Sequence, residues 1–158
     1  MTIGKENFLR SRLVPLLQRI NPDRVPLWGK MSFHQMVEHM VDVVRVANGH
    51  ITLSLITPEE RLPLYREFLM SEKPFKENTK SPVLPEEPLP LRSRTIQAAI
   101  GRLQEELIDF FQAFEKNPAL KTLHPVFGEL DFNENVQCLY KHSQHHLKQF
   151  GVDATLVV

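Results

Sequence analysis

Three of the chain's seven histidines, His142, His145 and His146, fall within the run YKHSQHHLKQFG at 140–151. Imidazole is the commonest side-chain metal ligand, and its ordinary pKa lies near neutrality, so such a cluster suits metal or proton chemistry. Read as a helix, Val136, Leu139, Tyr140, Ser143, Leu147 and Phe150 share one face. On that wheel His146 lies roughly 60° from the centre of the face, His142 roughly 100° and His145 roughly 160°. His145, with Lys141 and Lys148 as neighbours, therefore reads as solvated surface. His142 and His146 are one turn apart, the spacing by which a helix offers two nitrogens to one metal.

A pair needs a third ligand, and MVEHMVD at 36–42 offers His39. His39 sits one turn after Met36 and one turn before Val43, on or beside a buried stripe, where a neutral imidazole needs a hydrogen bond or a cation. His34 is the alternative, but it lies in the first turn and reads as exposed. His50, after a helix stop, and His124, in HPVFG, read as loop residues. Three neutral nitrogens with coordination positions left open are the form of a catalytic rather than a closed structural site. Zinc, nickel and iron(II) all suit such a set. Ser143 stands where the zinc-protease helix places its glutamate base, so peptide hydrolysis by that route is not expected. Glu38 and Asp42 lie close to His39, and either can orient a ligand through its second nitrogen; Glu38 otherwise reads as a solvated helix carboxylate. Trp28 and Tyr140 read as core residues, and Arg45 as a solvated one.

The elements that must hold these residues are helices. Residues 6–20 carry apolar positions at three- and four-residue spacing, with Pro15 as a kink. Ser32 and Gln35 make a capping box, and Asn48-Gly49 a stop, predicting a helix over 32–48. Thr57-Pro58-Glu59-Glu60 predicts a start for a third helix running to about residue 70, split by Pro63 into two pieces. Between Ser71 and Ser93 stand Pro74, Pro82, Pro85, Pro88 and Pro90, which predict a long loop wrapped over the body. Thr95 to Asn117 predicts a long amphipathic helix, and the Asp131/Glu134 box opens a last one running to Phe150. ITLSL (51–55) and ATLVV (154–158) are the strand candidates. The expectation is an all-α four-helix bundle with a Pro-rich covering loop, one domain over 1–158, its site built from facing helices.

Lysine plus arginine and aspartate plus glutamate balance at 19 each, which argues against capture of nucleic acid or an anionic membrane. A small-molecule substrate is expected instead. No apolar run approaches a membrane span, and the lone Cys138 forms no internal disulfide, so a cytoplasmic setting is expected, with Cys138 as an inert structural residue. A homodimer is a further expectation, from apolar positions on the long helix and the Pro-rich loop.

WGKMSFHQMVEHMVD together with HPVFGELDFNENVQCLYKHSQHHLKQFG resembles the DinB/YfiT-like superfamily. That resemblance implies a four-helix bundle binding a divalent metal through three histidines, which map onto His39, His142 and His146. It places Trp28 near the metal-bearing end. Relatives in that family include enzymes that join low-molecular-weight thiols to electrophiles and a thiol-dependent isomerase. The resemblance thus implies a metal-dependent thiol S-transferase or hydrolase; a non-enzymatic metal- or ligand-binding bundle, or a dimerisation module, is the competing expectation.

Overall fold

The computed structural model describes residues 2–77 and 87–154. Its first helical stretch starts earlier than periodicity predicts, as α1 (Thr2–Asn7), a π turn (Phe8–Arg12) and α2 (Leu13–Arg19). Pro15 has no N–H to donate, and its ring crowds the carbonyl four residues back. The irregularity is taken up just upstream, where the Leu13 N–H donates to the Phe8 carbonyl five residues back. This turn keeps Phe8, Leu9, Leu13 and Leu17 all facing the interior.

Helix α3 (Phe33–Ala47) has the expected box between Ser32 and Gln35 and ends at Asn48, with Gly49 in the left-handed region at φ +83°. Thr57 makes no side-chain cap at the expected helix start; its hydroxyl donates to the Val126 carbonyl instead. A 3-10 turn (Glu59–Arg61) runs into α4 (Leu62–Met70), and Pro63 lies in its first turn, where a missing N–H costs nothing. Pro63 therefore starts this helix rather than splitting it. Helix α5 (Ile96–Lys116) is capped by Thr95, and α6 (Phe132–Gln149) by the Asp131/Glu134 box, both as expected.

Between α5 and α6 an antiparallel hairpin, β1 (Thr122–His124) and β2 (Gly128–Leu130), pairs Thr122 with Leu130 and His124 with Gly128. Its strands are too short to show alternation in the sequence. His124 thus closes a strand rather than lying in a loop. ITLSL at 51–55 is irregular chain, as is Ala154, and the rest of ATLVV lies outside the described residues. Of the Pro-rich segment, residues 71–77 and 87–93 are described as irregular chain.

Helix α3 packs on α5 and α6, and the α1–α2 stretch packs on the same two, so four helices close around one core. Phe8, Phe33, Phe110 and Phe150 are fully buried there, each contributing on the order of 2–3 kcal/mol by burial. Helix α4 packs on α6, with a smaller apolar cluster of Leu69, Phe127, Leu130 and Cys138. Among the described residues no helix is long and apolar enough to cross a membrane.

Candidate metal centre

The contact of α3 with α6 brings His39 against His142 and His146. Their Nε2 atoms converge: His142 Nε2 lies 3.1 Å from His39 Nε2 and 2.9 Å from His146 Nε2. All three residues offer ligand atoms within 4.8 Å of one another. Three nitrogens held at about 2.0–2.1 Å by a tetrahedral ion stand about 3.3 Å apart, so the spacing fits one divalent ion. Hydrogen bonding alone fits less well, because a proton on His142 Nε2 would have to be shared between two neighbours.

Burial pushes His39 down to about 4, although the nearby Asp42 carboxylate raises it in part. Burial, then the neighbouring imidazoles, hold His142 well below the ordinary range; His146 is lowered in the same way despite its bond to Gln149. All three are therefore neutral at pH 7, with lone pairs available. Behind His146, the Gln149 Oε1 lies 2.8 Å from Nδ1, and Gln149 Nε2 donates to the Trp28 carbonyl at 2.9 Å.

The surroundings differ from the sequence expectation at four residues. His145 is half-buried rather than solvated, standing edge-on to Trp28 (centroids 5.6 Å apart) and to Phe75 (6.4 Å). Burial lowers its pKa, opposed in part by a hydrogen bond to the Phe75 backbone. A wheel of α6 alone carries no trace of the two irregular segments that cover this face. Trp28 is accordingly not in the bundle core but half-buried beside His145, with its carbonyl on Gln149. Glu38 is buried, not solvated, and accepts from the backbone N–H groups of Arg92 (3.0 Å) and Ser93 (2.7 Å) and from the Ser93 hydroxyl. His34 is also half-buried, 2.9 Å from Ser93 Oγ. Arg92 forms a two-pronged pair with Asp42 at 3.0 Å on each arm, so residues 92–93 clamp the outer side of α3.

The remaining candidates fall outside the trio. Tyr140 packs edge-on against Phe8, in the core as expected. His124 is half-buried, and its Nδ1 accepts from the Val126 and Phe127 N–H groups at 3.0 and 3.3 Å. Burial pushes it down to about 4. His50, Glu106 and Asp109 also bring ligand atoms within 4.8 Å. The Glu106 carboxylate, however, already accepts from Asn48 and His50 and pairs with Arg102, while Arg45 lies 3.6 Å away.

The family model of the DinB superfamily matches residues 8–150. The chain belongs to the DinB superfamily. No curated protein and no solved structure matches it. Membership and the three-histidine cluster together are compatible with a metal-dependent enzyme and point to a divalent ion without selecting one. Sequence reasoning about this DinB-superfamily chain misses Phe75, Arg92 and Ser93, which carry no motif and reach the site only through the tertiary fold. Gln149 is also missed, although its position three residues after His146 on one helix is a readable signal.

Proposed function

We propose that this DinB-superfamily chain is a metal-dependent enzyme that holds one divalent ion, zinc, nickel or iron(II), on His39, His142 and His146. The observation that carries the reading is the convergence of three Nε2 atoms, on a buried His146 and half-buried His39 and His142, whose lowered pKa values leave them neutral. Such an ion favours deprotonation of a bound thiol or water and so supplies a nucleophile at neutral pH. By resemblance to relatives, the nucleophile is a low-molecular-weight thiol, which the enzyme transfers to a small electrophile.

The chain's own groups support this chemistry in separate ways. The imidazoles stay neutral and present lone pairs. Phe75 stands edge-on to His142, and Phe75 and Trp28 both stand edge-on to His145, so aromatic surface beside the ligands is offered to a small organic molecule. Cys138 is excluded as the thiol: it lies in the smaller apolar cluster, and burial pushes it up to about 12. The thiol must therefore arrive with the substrates.

Metal analysis of protein purified without a histidine tag tests the site. One equivalent in the wild type, lost in His39→Ala and His146→Ala, supports it; no stoichiometric metal in the wild type overturns it. Turnover is tested with glutathione and bacillithiol against monobromobimane and epoxides. Metal-dependent consumption of thiol supports the transferase, turnover that needs only water indicates a hydrolase, and metal without turnover indicates a non-enzymatic binding bundle.

A further inference from the structure

We infer that Gln149 is a positioning residue that fixes the tautomer of His146, and that the Trp28-Gly29 turn exists to hold the Gln149 amide the right way round. The inference rests on the metal reading above only for its consequence, not for its geometry. Gln149 is buried, so each of its polar atoms needs a partner. A backbone carbonyl can only accept, so the Trp28 oxygen, 2.9 Å from the side-chain nitrogen, requires the amide NH2 to face it. Oε1 is then turned toward His146 Nδ1 at 2.8 Å, and a carbonyl oxygen there requires a proton on Nδ1. A neutral imidazole has one proton, so His146 Nε2 is left as a lone pair aimed at the point where it meets His142.

The approach of the turn to Gln149 explains a glycine. Gly29 has φ +77°, and a Cβ added there would stand 2.9 Å from Gln149 Nε2. The backbone angle disfavours a side chain, and the added Cβ would displace the Gln149 amide. The Leu27 N–H also donates to the Gln149 backbone carbonyl at 2.7 Å, so the turn is tied to the end of α6 at two points. The turn before α3 thus sets a proton on α6, and through it the direction of a lone pair.

The test uses nitrogen NMR of the full-length metal-free protein, together with metal affinity by competition against a chelator. In the wild type, His146 is expected as the Nδ1–H tautomer. Gln149→Leu removes the acceptor, and His146 should shift to a mixture or to Nε2–H, with affinity for Zn(II) falling about 10- to 100-fold. Gly29→Ala should disturb the same His146 signals without altering those of His124. A wild-type His146 protonated on Nε2 overturns the inference, as does a folded Gln149→Leu protein whose His146 tautomer and zinc affinity are both unchanged. If wild-type protein shows the Nδ1–H tautomer but binds no metal, the function proposed above fails while the tautomer control stands.

Discussion

Phe75 stands edge-on to His142, with ring centroids 5.8 Å apart and planes at 88°. Its other side stacks on Phe127, with Phe68 beside it and the Lys141 ammonium 5.2 Å from the ring. Lys141 also donates to the Phe68 and Ser71 carbonyls, while Gln137, one turn before it, donates to those of Leu69 and Ser71. Helix α6 therefore carries the histidines on one side and, on the other, the groups that anchor the chain leading to their cover. Phe75→Ala should cost about 1–2 kcal/mol, less than a fully buried phenylalanine because the ring is half-buried. It should also raise the off-rate of bound metal in stopped-flow chelation. An unchanged off-rate would show that Phe75 is packing alone.

Lowered histidine pKa values set the pH dependence of the metal-free protein. His39 and His124 lie at about 4 when folded against 6.5 unfolded, and His142 and His146 are lowered in the same direction. Above the unfolded value both states are neutral and nothing is lost. Between 6.5 and about 4 the unfolded chain takes up protons that the folded one does not, so stability falls as pH falls. Each such group removes about 1.4 kcal/mol per pH unit in that window. Urea titrations from pH 8 to 4.5 should show a plateau above neutrality and a steep decline below it. His124→Gln should make the decline shallower; a flat profile would contradict neutral burial.

Metal affinity should show the complementary behaviour. Exposed histidines lose metal below their ordinary pKa because protons compete for the same nitrogen. With His39 at about 4 and its two partners lowered, competition at this site begins only in more acidic solution. Chelator competition should therefore give a nearly constant Kd from pH 8 down to about 5.5. A tenfold loss already at pH 6 would place the folded pKa values in the ordinary range.

Cys138 offers a control on the chemistry. At 3% exposure, with its thiol pushed up to about 12 by burial, it should resist iodoacetamide in the native protein and react only after unfolding. Cys138→Ala should cost about 1 kcal/mol and leave thiol turnover intact. Loss of turnover in a stable Cys138→Ala protein would return the nucleophile to the chain itself.

Local signals account for much of what the sequence made legible. Ser32 with Gln35 and Asp131 with Glu134 satisfy helix N–H groups within a few residues, so both helix starts were readable. The His142/His146 pair was readable for the same reason, and His39 from its place on the apolar stripe of α3. What joins His39 to His142, 103 positions apart, is the packing of two helices, which no spacing reveals. His145, Glu38 and His34 are each covered by irregular chain, and a helical wheel registers only the helix it is drawn for, so their burial is not legible in it. Thr57 shows the reverse case, where a locally favourable cap is absent and the hydroxyl makes a tertiary bond to Val126 instead.

The clamp on α3 gives the last prediction. Burial alone would raise the Glu38 pKa, but hydrogen bonds from Ser93 and Arg92 outweigh it and leave the carboxyl below its ordinary range. Glu38 is thus ionised at neutral pH and holds two backbone donors that have no strand or helix to bond to. Glu38→Ala should expose those donors and cost about 2 kcal/mol, moderated by water reaching the half-exposed Arg92. The Arg92 and Ser93 amide protons should then exchange at rates near those of open chain, while those of α3 beyond its first turn stay protected. The sign with pH follows from the lowered carboxyl: this contribution is present above the unfolded value of 4.5 and is lost as pH falls through the folded one. Metal content should be retained, since Glu38 touches none of the three ligands through a hydrogen bond among the described residues. Metal loss in a folded Glu38→Ala protein would mean that the clamp sets the position of His39, one residue along the same helix.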